Sequence, residues 1–339
     1  MIYVTYFPHQ AHCFAFGGFE LQMLTAFDAI DKNFKLEVAI KKIDVWNRNQ
    51  SFDIAHFWGL ELSNFSNIVW AKRSGKRVVL TVLLSYYDRP FSKLKHAVSR
   101  RFYSAKLLIE MLKYVDALVV VNEQQKLIAT SLFNFEKSRV HVVPNIIDDA
   151  FFTNFYSGDI DEPPFVLTVG NVCKRKNQIR LAEACKLINR RLVIVGREMP
   201  GEEAYSNELE NLVNSSELLT WIKGLPSSSK ELITLVKSCF LFALPSEAET
   251  QPISLLEAAS CGKPLLISNL SYARQDFYKN ACLVNPNSIE SIAKGIDLIF
   301  DNVASFIAPQ DILDSCRSTR VARCYYDIYR EVMNEYMNK

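Results

Sequence analysis

The stretch LFALPSEAETQPISLLEAASCGKPLLIS (241–268) sets two carboxylates, Glu249 and Glu257, eight positions apart. The apolar run before Pro245 reads as a buried strand, the polar residues after it as a loop, and a helix is expected to begin near 251–253. The first amides of such a helix are unpaired and its dipole is positive there, so the turn favours a phosphate or a developing anion. Glu249 lies in the loop and Glu257 two turns along the helix. From those places they can reach different hydroxyls of one extended ligand, and a carboxylate accepts two hydrogen bonds from a vicinal diol, as on a ribose or hexose ring. Isolated glutamates of this kind are usually solvated charges. Glu257, however, sits in ISLLEAASCG among apolar and small residues, an expensive place for an unpaired charge.

A second segment, PFVLTVGNVCKRKNQIRLAEA (164–184), repeats the strand–loop–helix order and crowds Lys174, Arg175 and Lys176 into the loop. Cations beside a helix N-terminus are unfavourable unless an anion lies between them, so this loop reads as a phosphate site as readily as a solvated basic turn. A third, AHCFAFGGFELQ (11–22), follows the first strand. Gly17 and Gly18 allow main-chain amides to approach a phosphate or an acceptor before a helix begins. Alone, such a turn is a weak signal.

The elements that must hold these residues alternate from end to end, the pattern of parallel-sheet α/β domains. Strands are predicted near 2–7, 36–40, 53–58, 77–83, 116–121 and 139–143, with helices near 18–31, 61–74, 91–114 and 123–133. PNIIDDAFFTNFYSGDIDEPP (144–164) interrupts this rhythm with prolines and acidic residues and reads as an interdomain connection. Strands then return near 165–170, 191–195, 218–222, 239–244, 264–267 and 281–284. The second set of helices falls near 177–188, 202–214, 227–237, 251–260 and 288–303. The expected organisation is an N-terminal Rossmann-like domain over 1–150, a second over 151–308, and C-terminal helices over 309–339 packing back toward the first. Two doubly wound domains would face across a cleft, with ligands beyond the carboxyl ends of the strands.

The chain has 339 residues, 49% hydrophobic and 22% charged, and suits two globular domains. Lys+Arg total 39 and Asp+Glu 37; residues 1–150 hold 19 and 14, leaving 39 − 19 = 20 and 37 − 14 = 23 for the remainder. The halves therefore carry +5 and −3, and neither has the basic character of a nucleic-acid-binding domain. The cationic excess gathers in 89–113, at Arg89, Lys93, Lys95, Arg100, Arg101, Lys106 and Lys113 against Glu110 alone. This segment reads either as a helix with a solvated basic face or as one lying on an anionic membrane surface, attracted by about 1 kcal/mol per cation. The 8 cysteines form no C-x-x-C pair and lie at no metal-ligand spacing, so buried, reduced thiols are expected and no metal site. No apolar run is long enough to span a bilayer, and the first residues start directly as a strand. A cytoplasmic protein, peripheral at most on the inner face of a membrane, is expected.

PSEAETQPISLLEAASCGKPLL resembles the signature of the retaining glycosyltransferases of family four, GT-B fold, roughly P-S-x-x-E-G-F-x-x-x-x-x-E-A-x-A-x-G-x-P, with Glu249 and Glu257 on its two glutamates. The resemblance implies a nucleotide-sugar donor whose ribose is held by Glu257 and whose transferred sugar is held by Glu249. Amides near Thr250 and Gln251 would lie against sugar and diphosphate; these two residues replace the family's Gly and Phe. The second segment is similar to V-G-R-x-x-x-x-K-N. Lys176 matches the diphosphate-binding lysine, Asn171 stands where the family has arginine, and Arg175 or Lys174 is placed to supply the missing charge. AHCFAFGGFELQ is similar to the G-G-x-E loop, with Gly17, Gly18 and Glu20 matching on the acceptor side and Gly18 also near the donor. WIKGLPSSSKEL (221–232) resembles the loop framing the nucleotide base, and Lys223 in it is a candidate donor contact. Where the family often has T-x-H this chain has Leu83, so a role needing an imidazole is lost there, and His56 reads as a core or edge histidine. In VHVVPNIIDDAFF (140–152), Asn145 and Asp148 match V-x-P-N-G-V-D with Ile146 in place of glycine, a hinge by this reading.

The resemblance thus implies metal-independent transfer of a sugar from a UDP- or GDP-sugar to a hydroxyl of a glycan or lipid-linked glycan, with retention. Lys176 and Glu249 would act at the reacting centre. The departures at Asn171, Leu83 and Ile146 leave two alternatives: a non-catalytic sugar-nucleotide-binding subunit, or a GT-B nucleotide-sugar epimerase.

Overall fold

The computed structural model describes residues 1–13, 16–84, 86, 103–152 and 163–337. The chain divides into two compact units, Met1–Ile146 with Ser315–Lys339, and Ile147–Asp314.

The first unit runs β1 (Ile2–Phe7), α1 (Gly18–Phe34), β2 (Val38–Lys42), β3 (Ile54–Trp58), α2 (Phe65–Arg73), β4 (Arg77–Thr81), α3 (Tyr103–Leu112), β5 (Ala117–Val120), α4 (Glu123–Leu132) and β6 (Val140–Val142). Its six strands are all parallel, in the order β2-β1-β3-β4-β5-β6. Strands buried on both faces must be apolar throughout, and β3, β4 and β5 read IAHFW, RVVLT and ALVV. Of the basic segment, 89–102 lies outside the described residues, while α3 covers the predicted helix from Tyr103 to Leu112. The side chain of Asn122 caps α4 by accepting from the Gln125 amide at 2.9 Å.

The second unit runs β7 (Phe165–Val169), α5 (Gln178–Leu187), β8 (Arg191–Val195), α6 (Glu203–Asn214), β9 (Leu219–Ile222), α7 (Lys230–Ser238), β10 (Leu241–Leu244), α8 (Ile253–Ser260), β11 (Leu265–Ser268), β12 (Cys282–Val284) and α9 (Ile289–Asp301). Its sheet is parallel with the order β12-β11-β10-β7-β8-β9. Counted from β7 this is the 3-2-1-4-5-6 order of a Rossmann sheet, whereas the first sheet has the flavodoxin-like order. The expected pair of doubly wound α/β domains is present, with two different strand orders. In the second sheet the order reverses between β7 and β10, and in the first between β1 and β3.

The last long helix, α10 (Ser318–Met337), returns to the first unit. Its Val321, Ala322, Tyr325, Ile328, Tyr329 and Val332 join the buried cluster formed by α1 and by β1, β2 and β3. His56 on β3 is fully buried there, with Nδ1 2.8 Å from the Tyr329 hydroxyl and Nε2 2.8 Å from Thr81 Oγ1. Burial pulls its pKa down to about 3. His56 is therefore a neutral core residue joining β3, β4 and α10. No helix among the described residues is long and apolar enough to cross a membrane.

Candidate functional site

In an open parallel sheet two neighbouring loops part at the point where the strand order reverses, leaving room for a ligand beyond the carboxyl ends. In the second unit those loops are 170–177, after β7, and 245–252, after β10: the two segments singled out by their charge. They meet directly. Glu249 Oε1 lies 2.7 Å from Lys176 Nζ and 2.9 Å from Arg175 Nη1, and the Arg175 guanidinium also donates to the Ala248 carbonyl at 2.8 Å. Arg180 reaches Glu247 at 3.2 Å on the helix that follows.

The close fit of the first loop has backbone causes. Gly170 adopts φ +153°, and the Lys176 side chain lies over it, with Cε 3.3 Å from where a Cβ would be. Gly196, at the end of β8, faces the Gly170 carbonyl oxygen so closely that a Cβ there would stand 1.9 Å from it. Asn177 then turns the chain into α5 with φ 64° and ψ 30°. Its side-chain amide donates to the carbonyls of Pro245 (2.9 Å) and Pro286 (2.7 Å), while its oxygen accepts from Arg180 at 2.8 Å. A short polar side chain that tolerates the left-handed region is what this corner demands. Ser254, in the first turn of α8, donates to the Val169 carbonyl at 3.0 Å and holds that helix start against the end of β7.

The two glutamates have opposite environments. Burial alone would raise the Glu249 carboxyl, but Lys176 and then Arg175 outweigh it and hold it below the ordinary carboxylate range. Glu257 is 8% exposed, and no hydrogen bond or ion pair reaches its carboxyl among the described residues. Burial, and next the charge of Asp148, push its pKa up to about 8. Asp148, expected at a hinge, thus acts electrostatically on Glu257 from within the same unit.

The other candidates divide. Gln251 is buried, its amide donating to Gln275 Oε1 at 2.9 Å, and Gln275 Nε2 donates in turn to the Thr250 carbonyl at 2.7 Å and the Tyr272 carbonyl at 2.8 Å. Thr250 and Gln251 therefore sit in the same loop as Glu249, fixed from outside the motif. Asn171 lies in the Lys176 loop and receives Gln178 Nε2 on its main-chain oxygen at 3.0 Å. Lys174 is exposed, and its amide donates to Glu202 at 3.3 Å. Lys223 is half-exposed and pairs with Glu210 at 2.8 Å and Glu198 at 3.3 Å, apart from the Lys176–Glu249 cluster. In the first unit Gly17 precedes α1 and donates its amide to Glu20 Oε2 at 2.8 Å; Glu20 also meets His9 Nε2 at 3.4 Å. Gly18 begins the helix. The Glu20 carboxylate thus caps the start of its own helix. Leu83 is partly buried after β4.

Sequence reasoning left Asn177, Ser254 and Gln275 without a role. Asn177 was visible only as the last letter of a motif. Gln275 carried no signal, being 24 positions from its partner Gln251. Among the described residues no group of three or more His, Cys, Asp or Glu could hold a metal ion.

Residues 152–306 match the family described as Glycosyl transferases group 1. The chain is 27% identical over 226 residues to the Escherichia coli UDP-Gal:alpha-D-GlcNAc-diphosphoundecaprenol alpha-1,3-galactosyltransferase, covering 59% of this chain and 56% of that protein. It is 26% identical over 248 residues to the alpha-galactosylglucosyldiacylglycerol synthase of Streptococcus pneumoniae, covering 67% and 62%. The matches thus span little more than half the length of these relatives. Among solved structures, Anabaena HepE in complex with UDP and glucose superposes with a TM-score of 0.71 at 14% identity, covering 96% of this chain and 99% of that one. A Rickettsia africae glycosyltransferase superposes with a TM-score of 0.69 at 15% identity, covering 98% of each. The match to the glycosyl transferases group 1 thus lies within the second unit, and the chain has the GT-B fold.

Proposed function

We propose that the protein is a glycosyltransferase that moves a sugar from a nucleoside-diphosphate sugar, with uridine or guanosine as the base, to a hydroxyl of a glycan or lipid-linked glycan, with retention at the anomeric carbon. The observation that carries this reading is the meeting of Lys176, Arg175 and Glu249 at the switch point of a Rossmann sheet, beside a helix that bears the buried, unpartnered Glu257. Lys176, Arg175 and the first amides of α8 meet the diphosphate charge and stabilise it as it grows on the leaving group. Glu257 takes the ribose hydroxyls, and Glu249 takes hydroxyls of the transferred sugar. The acceptor is held on the first unit, near Gly17, Gly18 and Glu20. No side chain serves as a nucleophile in this reading; the acceptor attacks from the face the leaving group vacates. The donor and acceptor classes are supported by the lipid-linked and UDP chemistry in the names of the relatives. The departures at Leu83 and Asn171 favour a second reading, a binding subunit without turnover.

The test is a thermal-shift screen of nucleoside diphosphates and their sugars, followed by turnover of the binding donor with lipid-linked and soluble glycans. Lys176→Ala and Glu257→Ala should each lower kcat/KM by at least about 30-fold, the loss of a charged hydrogen-bond partner worth ~2 kcal/mol. EDTA should leave the rate unchanged. Wild-type kinetics in both variants would refute the site assignment; donor binding without turnover selects the binding subunit, and an isomerised sugar nucleotide formed without acceptor selects an epimerase.

A further inference from the structure

We propose that Glu249 and the donor diphosphate compete for the same two cations, so that arrival of the diphosphate is what frees Glu249 to take the sugar. This rests on the donor-site reading above. Without ligand, a single oxygen of Glu249 accepts from both Lys176 Nζ at 2.7 Å and Arg175 Nη1 at 2.9 Å. The Glu249 side chain is 7% exposed and that of Lys176 11%, so water screens this pair little. A carboxylate whose charge is already met by two cations is a poor acceptor for a hydroxyl. A sugar arriving without its diphosphate therefore meets an occupied carboxylate.

The diphosphate changes the balance. It carries more negative charge than one carboxylate and offers oxygens that the planar Arg175 guanidinium can take two at a time. Arg175 is 49% exposed and held only at its tip, by Glu249 and the Ala248 carbonyl, so it can turn to a phosphate without disturbing the core. Lys176 has a flexible stem lying over Gly170, where there is no side chain to obstruct it. Once both cations have moved, Glu249 is left shielded and without a counter-charge, a costly state that hydroxyls of the attached sugar relieve. Diphosphate and sugar are then recognised together: each makes room for the other's contact. A nucleoside diphosphate without its sugar breaks the pairs and gains no such relief, and a nucleoside monophosphate barely engages the exchange.

Calorimetric titration of UMP, UDP and UDP-glucose (or the guanosine series, if that is what the wild type binds) into wild type and Glu249→Gln tests this. In the variant neither cation faces a carboxylate at position 249. UDP should bind several-fold more tightly than to wild type, UMP should be unchanged, and the sugar nucleotide should lose its advantage over UDP. Glu249→Ser provides the same comparison should the glutamine variant fail to fold. UDP binding no more tightly to either variant, with the wild type binding UDP normally, overturns the competition alone. A wild type that binds no nucleoside diphosphate overturns the donor-site reading as well.

Discussion

At the scale of single residues, one site holds two glutamates in opposite states, and each state follows from its neighbours. Glu249 is buried beside two cations and stays ionised; Glu257 is buried beside apolar side chains and an aspartate and keeps its proton to about pH 8. In the unfolded chain the Glu257 carboxyl releases its proton near 4.5, the ordinary value for a glutamate. The folded state therefore binds more protons than the unfolded state between those two values. Folding is penalised progressively as pH rises from 4.5 to 8 and is unaffected by this group below that window. Glu257→Gln removes the penalty. It should stabilise the second unit by on the order of 2 kcal/mol at pH 8 and leave it unchanged at pH 4.5, and under the proposed function it should weaken donor binding. Urea unfolding of both proteins at the two pH values checks this, and parallel pH profiles would sink it. The glutamates themselves were legible from type and spacing. Their protonation states were not, because these depend on Lys176 and Arg175 from the loop after β7 and on Asp148, none of them in the glutamates' own segment.

At the scale of elements, the alternation of strands and helices was readable because a parallel strand buried on both faces has to be an unbroken apolar run. Corners were less readable. Asn177 joins its own turn to Pro245 and Pro286, which lie 68 and 109 positions away, and nothing local reveals those partners. Asn177→Ala should destabilise the second unit by about 2–4 kcal/mol, from three lost hydrogen bonds and a left-handed backbone that alanine resists. Asn177→Gly should recover about 1 kcal/mol of that, the backbone share alone. Thermal unfolding of the three proteins separates the two contributions; equal losses in alanine and glycine would show that the backbone conformation costs nothing. The same reasoning explains why Gln275 escaped notice: it positions Thr250 and Gln251 from a loop with no motif of its own.

At the scale of the whole molecule, the chain leaves its first unit after Ile146 and comes back to it at Ser315. The return is built into the core: Tyr329 meets His56 and lies 3.2 Å from the Tyr6 hydroxyl, 323 positions away. Ending the chain at residue 314 should therefore expose the apolar faces of α1 and of the β1–β3 region and abolish the cooperative unfolding of the first unit. The second unit should still unfold cooperatively and, under the proposed function, still be stabilised by a nucleoside diphosphate, by about 2.7 kcal/mol at 100 times the dissociation constant. Differential scanning calorimetry of the truncated chain, with and without UDP, checks both parts; an unchanged first-unit transition would mean that α10 adds nothing to that core.

The sequence by itself determined the α/β class, the two-part organisation, the loop-to-helix turns and the residue types at the proposed donor site, because each is encoded over a span short enough for periodicity and spacing to reveal. Only the tertiary structure decided that the second sheet has the Rossmann strand order and the first does not, that the basic loop closes onto Glu249, that Lys223 pairs elsewhere, and that Glu257 stands alone. These are matters of which distant loops come together, and side-chain charge, unlike side-chain hydrophobicity, takes its meaning from the partner it meets.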